Sequence, residues 1–147
     1  MRKPQNRKYI FNHSILMANI VYFEIPAEDV DRAKRFYHSL LGWKIEPTKV
    51  PMDPEMTSMQ YQDIVTGDTK EVTPMSGTLS MGGMYKRQMN EPIINYVMVD
   101  DIDKAIAMVE KLGGKIAVPK KEIKSVGQIV IIQDTEGNAI GLFKPMM

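Results

Sequence analysis

The sequence predicts an α+β fold built from two βαβββ modules, and three observations predict it. The stretch "YFEIPAEDVDRA" (22–33) aligns without a gap with "INYVMVDDIDKA" (94–105), ~72 positions later. Ile25 matches Val97, Ala27 matches Val99, Asp29 matches Asp101, and Val30-Asp31-Arg32-Ala33 matches Ile102-Asp103-Lys104-Ala105. The likeness continues with a one-residue slip in "LLGWKI" against "KLGGKI", and returns in "GMYK" (83–86) against "GLFK" (141–144). Each copy also runs through the same coarse order of patterns, strand then helix then three strands.

The elements follow in order. Each copy opens on a strand, 19–26 and 93–99, where side chains alternate with the period of two that gives a strand two unlike faces. Asp29 and Asp101 stand where the pattern turns helical, and their oxygens can accept from the open N–H groups of a first turn. The first helix carries Val30, Ala33, Phe36, Tyr37, Leu40 and Leu41 on one stripe. The second, over 101–112, carries Ile102, Ala105, Ile106, Val109 and Leu112, the spacing of a helix that buries one side. Gly42 and Gly113 supply the left-handed stop.

A strand follows at once, "WKIEPT" (43–48) and "KIAVPK" (115–120). The remaining strands are "SMQYQDIVT" (58–66) and "TLSMGGMYK" (78–86) in the first copy, "GQIVIIQD" (127–134) and "NAIGLFK" (138–144) in the second. "DTEGN" (134–138) is a tight turn between the last two, with Gly137 at the positive-φ position. Segments 46–58 and 66–78 are long and irregular. The expected organisation is one domain made of residues 18–90 and 91–147. Residues 1–17, basic and without a clean period, are expected to be a weakly ordered extension, with Met17 as the natural start.

Composition bounds the function. A chain of 147 residues with 44% hydrophobic and 25% charged residues is ordinary for a globular domain with its own core. A formal charge of +1 provides no basic field for nucleic acid or an anionic membrane, so neither partner is expected. No cysteine is present, which excludes disulfides, thiolate nucleophiles and Cys-based metal sites. No apolar leader of the secretory kind opens the chain, so a cytoplasmic location is the default. No phosphate-cradling glycine loop precedes a helix, and no serine elbow is legible. The 13 methionines suit either an adaptable apolar surface or a Met-tolerant core.

The combination of strand, acidic turn, helix, Leu-Gly stop and late Gly-Asn turn resembles the vicinal oxygen chelate superfamily, which includes glyoxalase I, bleomycin-resistance proteins and extradiol dioxygenases. The stretches that carry it are "YFEIPAEDVDRAKRFYHSLLGWKIE", "GGMYKR", "NYVMVDDIDKAIAMVEKLGGKI" and "DTEGNAIGLF". They cover roughly residues 17–145 and are most like the lactoylglutathione-lyase-related branch. The resemblance implies curled sheets around a concave pocket, a homodimer, and one divalent metal held by four inward side chains. Carried over residue by residue, those four positions are Tyr22, Gly83, Ile94 and Gly141. Tyrosine, glycine and isoleucine do not hold a divalent cation, which needs imidazole or carboxylate donors. His13 lies outside the modules and His38 sits on the first helix. No metal ligand is therefore assigned, no cofactor is expected, and metal-dependent glyoxalase I or dioxygenase activity is disfavoured.

Strand parity then gives the pocket lining. With Tyr22 facing the concavity, Glu24 and Pro26 face it too, while Phe23, Ile25 and Ala27 face the helix. The other strands add Met81, Gly83 and Tyr85, then Ile94, Tyr96 and Met98, then Ala139, Gly141 and Phe143. This is an aromatic and apolar pocket widened by two glycines, suited to a small, largely apolar organic ligand. Glu24 is the one carboxylate on these strands, and three readings stay open for it. It is a catalytic acid or base with a pKa raised by desolvation, a structural group paired with a tyrosine hydroxyl, Lys86 or Lys144, or a ligand anchor. The leading expectation is a small-molecule-binding protein. The alternative is an enzyme (lyase, isomerase or dioxygenase-related) that uses Glu24 with Tyr22 or Tyr96, or an atypical metal site.

Overall fold

The computed structural model describes residues 18–67 and 82–146. Among the described residues eight strands form a single sheet: β1 (Ile20–Ala27), β2 (Lys44–Pro47), β3 (Gln62–Val65), β4 (Gly82–Lys86), β5 (Ile94–Met98), β6 (Lys115–Ile123), β7 (Gly127–Gln133) and β8 (Ala139–Pro145). Two helices, α1 (Val30–Leu41) and α2 (Ile102–Val109), lie between the first and second strand of each half. The strand order is β2-β3-β4-β1-β5-β8-β7-β6. Each half thus repeats the other: β1 pairs β4 in parallel as β5 pairs β8, and the halves join antiparallel along β1 and β5. The sheet is curled but not closed, an α+β arrangement of the two βαβββ modules that the repeat predicts, curled as the resemblance implies.

Local chemistry sets the element ends. Asp29 accepts from the N–H of Arg32 at 3.0 Å and Asp101 from that of Lys104 at 3.0 Å, satisfying donors that an α-helix leaves open at its start. Gly42 ends α1 at φ 75°, a conformation that costs a residue with a Cβ. The second helix is shorter than its pattern predicts. It stops at Val109, and turns closed by Gly113 N–H to Glu110 and Gly114 N–H to Val109 replace the last round.

Two other elements depart from the sequence pattern. Residues 54–59 form a 3₁₀ helix that runs from the segment expected to be irregular into the first two residues of the expected strand, and Gln60 follows in the left-handed region at φ 52°. Proline at the start of that segment suits a helical turn, because its fixed φ and missing N–H cost nothing there. The stripe on α1 is also less buried than its spacing implies. Val30 is buried, Ala33 and Tyr37 are partly covered, and Phe36, Leu40 and Leu41 are exposed. Trp43 takes the stacking role instead, lying parallel to Tyr37 at 5.2 Å and tilted on Phe23 at 5.8 Å.

The core divides by sheet face. Ile25, Ala27, Val30, Ile45, Ile64 and Met84 pack beneath α1, and Ile102, Val130 and Leu142 with Val97 and Val99 pack beneath α2. A third cluster fills the opposite, concave face with Tyr22, Ile94, Tyr96, Val126 and Phe143, joined by Met98 and Ala139. Alternate residues on β1 and β5 therefore part to the faces that strand parity assigns them.

Candidate functional site

Glu24 sits on the concave face of β1, flanked in register by Gly83 on β4 and Ile94 on β5. Tyr22, one step along the same face, lies opposite Tyr96, which in turn lies beside Gly141 on β8. The Tyr96 hydroxyl donates to Glu24 Oε1 at 2.8 Å, and the Tyr61 hydroxyl donates to Oε2 at 2.7 Å. Glu24 and Tyr96 occupy equivalent positions of the two modules, so this bond crosses the seam between them.

The direction of the remaining bond follows from counting protons. The Tyr61 and Tyr22 oxygens are 2.9 Å apart. Tyr61 has one hydroxyl proton and gives it to Glu24, so Tyr22 donates to Tyr61. The result is a chain of phenols converging on one carboxylate, Tyr22 to Tyr61 to Glu24 from one side and Tyr96 from the other. Hydrogen bonds to an ionised group contribute about 1.5–3 kcal/mol each in favourable geometry.

Burial pushes the Glu24 pKa upward, and the hydrogen bonds from Tyr61 and Tyr96 pull it back in part. The residue as a whole is half-buried, while the carboxylate itself is buried between its two phenol donors. The Tyr61 and Tyr96 hydroxyls are pushed well above their ordinary value by burial first and by the Glu24 charge second. They are hydrogen-bond donors at any physiological pH. Tyr85 is raised for the same reasons, and its ring lies parallel to that of Tyr61, centroids 6.4 Å apart.

The two glycines do not open space, which corrects the expectation of a glycine-widened pocket. A Cβ on Gly83 would overlap the Tyr61 hydroxyl and come within 2.7 Å of the Tyr22 hydroxyl. A Cβ on Gly141 would overlap the ring of Tyr96. Each glycine is a niche that a tyrosine fills. The position implied for Met81 lies outside the described residues. Pro26, Tyr85, Ile94, Tyr96 and Phe143 are buried, and Met98 is partly so.

Lys86 and Lys144 are not partners of Glu24 either. Lys86 donates to the carbonyl of Glu28, and Arg87 beside it pairs with the Glu28 carboxylate at 3.1 Å. Lys144 pairs in register with Gln128 at the far end of β8, beside a small cleft of about 180 Å³ that it lines with Glu122 and Gln128.

Tyr61 is the site residue that sequence reading missed. It lies one alternation step outside β3, so parity from Asp63 places it on the concave face. Asp63 was missed as well. It stands opposite Gly83, and through Gly83 it lies in the same transverse row as Glu24. Burial raises its pKa, and its Oδ1 is buried without a partner.

The four positions where the resemblance implies metal ligands do not fit a divalent cation. Tyr22 and Ile94 offer a phenol and an alkyl chain, and the glycine niches hold tyrosine side chains. Among the described residues no three His, Cys, Asp or Glu side chains gather into a ligand set. Chemically, the arrangement offers one carboxylate that can hold or accept a proton, presented by phenol donors in an apolar surround. No described helix is long and apolar enough to cross a membrane.

Comparison with known proteins agrees with this fold. The profile of the Glyoxalase/Bleomycin resistance protein/Dioxygenase superfamily matches residues 19–142. CFP32 of Mycobacterium bovis, which bears the name of a glyoxylase, is 30% identical over 125 residues, 84% of this chain and 44% of its own. The chain thus spans under half the length of that relative. A glyoxylase-like domain-containing protein of Didymella fabae is 32% identical over 129 residues, 84% of this chain and 91% of its own. Among solved structures, the methylmalonyl-CoA epimerase of Streptomyces coelicolor in complex with 2-nitronate-propionyl-CoA superposes with a TM-score of 0.62. The two share 15% identity, over 90% of this chain and all of that one. The epimerase of Mycobacterium tuberculosis gives 0.56 at 13% identity, covering 90% of each chain. At these identities the likeness is one of fold.

Proposed function

The chain belongs to the Glyoxalase/Bleomycin resistance protein/Dioxygenase superfamily, and from that premise we propose that its concave face binds a small, largely apolar organic molecule centred on Glu24. One observation carries this reading. A buried carboxylate, on a residue that as a whole is half-buried, is held between two phenol donors at 2.7 and 2.8 Å, inside an aromatic and apolar surround. Ligand sites concentrate apolar area around a few convergent polar groups in this way. The usual metal is no part of the proposal, because the side chains at its four positions are the wrong donors. A thermal-shift screen of diverse aromatic and amphiphilic compounds tests it. Binding to the native state raises the midpoint with ligand concentration, and no stabilisation across such a set overturns the proposal.

A second reading, an enzyme of the proton-transferring kind, is favoured by the upward push on the Glu24 pKa. An acid tuned upward by burial can accept a proton from a substrate and return it. The epimerase fold neighbours are compatible with that class but do not assign it. Activity on an identified substrate that survives Glu24→Gln unchanged would sink this reading.

A further inference from the structure

The concave face has an imbalance of charge that narrows the class of ligand. The transverse row across the first module reads Glu46, Asp63, Gly83, Glu24 from β2 to β1, so three acids share one face, Glu46 and Asp63 one strand spacing of about 4.8 Å apart and Glu24 two spacings beyond Asp63. Glu46 is at the rim, exposed and 3.7 Å from Lys44. Asp63 has a buried oxygen without a partner. Glu24 receives only phenol hydroxyls, and no lysine, arginine or histidine among the described residues bonds to it. The cations at the end of β4 are committed to Glu28. A buried carboxylate is ordinarily matched by a positive group or by several strong donors. Around Glu24 stand the tyrosines 22, 61, 85 and 96, and aromatic ring faces carry partial negative charge.

We infer that this site takes a small organic cation, an alkyl or arylalkyl ammonium on an apolar body, with Glu24 as its counter-ion and tyrosine rings as its walls. The inference rests on the reading of the concave face as a small-molecule site and adds the sign of the ligand. An ammonium brings charge-assisted donors to the carboxylate and is attracted to the ring faces. A carboxylate ligand would meet the Glu24 carboxyl, to which no cation among the described residues is bonded, and beyond it Asp63, whose neighbouring cation Lys49 already offsets its charge. Tyr61 is the donor that the ligand replaces. It enters from the irregular segment after Gln60 rather than from within a strand, and it stays partly accessible. Tyr96 is buried in the middle of β5 and stays in place.

Three probes of one shape decide it: benzylamine, benzyl alcohol and benzoate, titrated calorimetrically at mildly alkaline pH, which favours the ionised carboxylate while the amine keeps its charge. The expected result is benzylamine binding at least about tenfold tighter than either other probe. In Glu24→Gln that preference collapses. Benzoate or benzyl alcohol binding as tightly as benzylamine overturns the cation inference and leaves the small-molecule reading standing. Failure of all three to bind counts against the small-molecule reading, and this inference falls with it. The ranking on the unaltered protein is decisive by itself if the variant does not fold.

Discussion

Glu24 is a carboxyl that holds its proton more tightly in the folded chain than in the unfolded one, and this difference has a sign that can be measured. Burial raises its pKa above the 4.5 of an unperturbed glutamate. A group that binds a proton more tightly in the native than in the unfolded state contributes stability fully below the unfolded pKa. It loses that contribution as pH climbs through the native value. Glu24→Gln cannot ionise and keeps a similar shape. The stability of the wild type relative to this variant should therefore fall as pH rises from about 4.5 and level off once the native carboxyl has ionised. Urea unfolding of both proteins across a pH series checks it, and a pH-independent difference would refute the raised pKa. The comparison must be made against the variant, because Asp29, Glu91 and Asp134 are held below their ordinary values and tilt the whole protein the other way.

At the scale of elements, periodicity reports which face of a helix is apolar but not how much of it the sheet covers. The stripe on α1 was legible down to Leu41, yet β1 to β4 cover only its N-terminal part, leaving Leu40 65% exposed against 1% for Ile102 on α2. Leu40→Ala should accordingly change stability by no more than about 0.5 kcal/mol. Ile102→Ala should cost about 2–5 kcal/mol through lost burial and the cavity left behind. Equal costs in urea unfolding would mean that α1 is covered in solution. The same distinction between pattern and packing explains the candidate site. Tyr22, Glu24 and Tyr96 were legible because strand parity is strict and the repeat fixes it twice. Tyr61 follows a 3₁₀ turn whose last two residues read as strand, and its partner Glu24 is 37 positions away. The glycine niches were half legible: two missing side chains signal a close approach, but not whether a ligand or a tyrosine makes it.

For the molecule as a whole, the seam between modules decides whether the repeat is two units or one. The clusters beneath α1 and α2 are private to their modules. The concave cluster is not, since it draws Tyr22 from the first and Ile94, Tyr96, Val126 and Phe143 from the second. The β1–β5 ladder and the Tyr96–Glu24 bond cross the same line. Opening either module alone would strip Phe143 and Tyr96, nearly inaccessible to solvent, of the surface they pack on, and burying aromatics of that size is worth several kcal/mol. A half-unfolded state should therefore be too costly to populate, and unfolding should be two-state. The single tryptophan, Trp43, reports the first module through its stacking on Tyr37, while far-UV circular dichroism reports all eight strands. The two signals should trace one coincident transition in urea. A tryptophan transition that separates from the dichroism would mean that the modules come apart before they unfold, and that the seam holding Glu24 is weaker than the cores on either side.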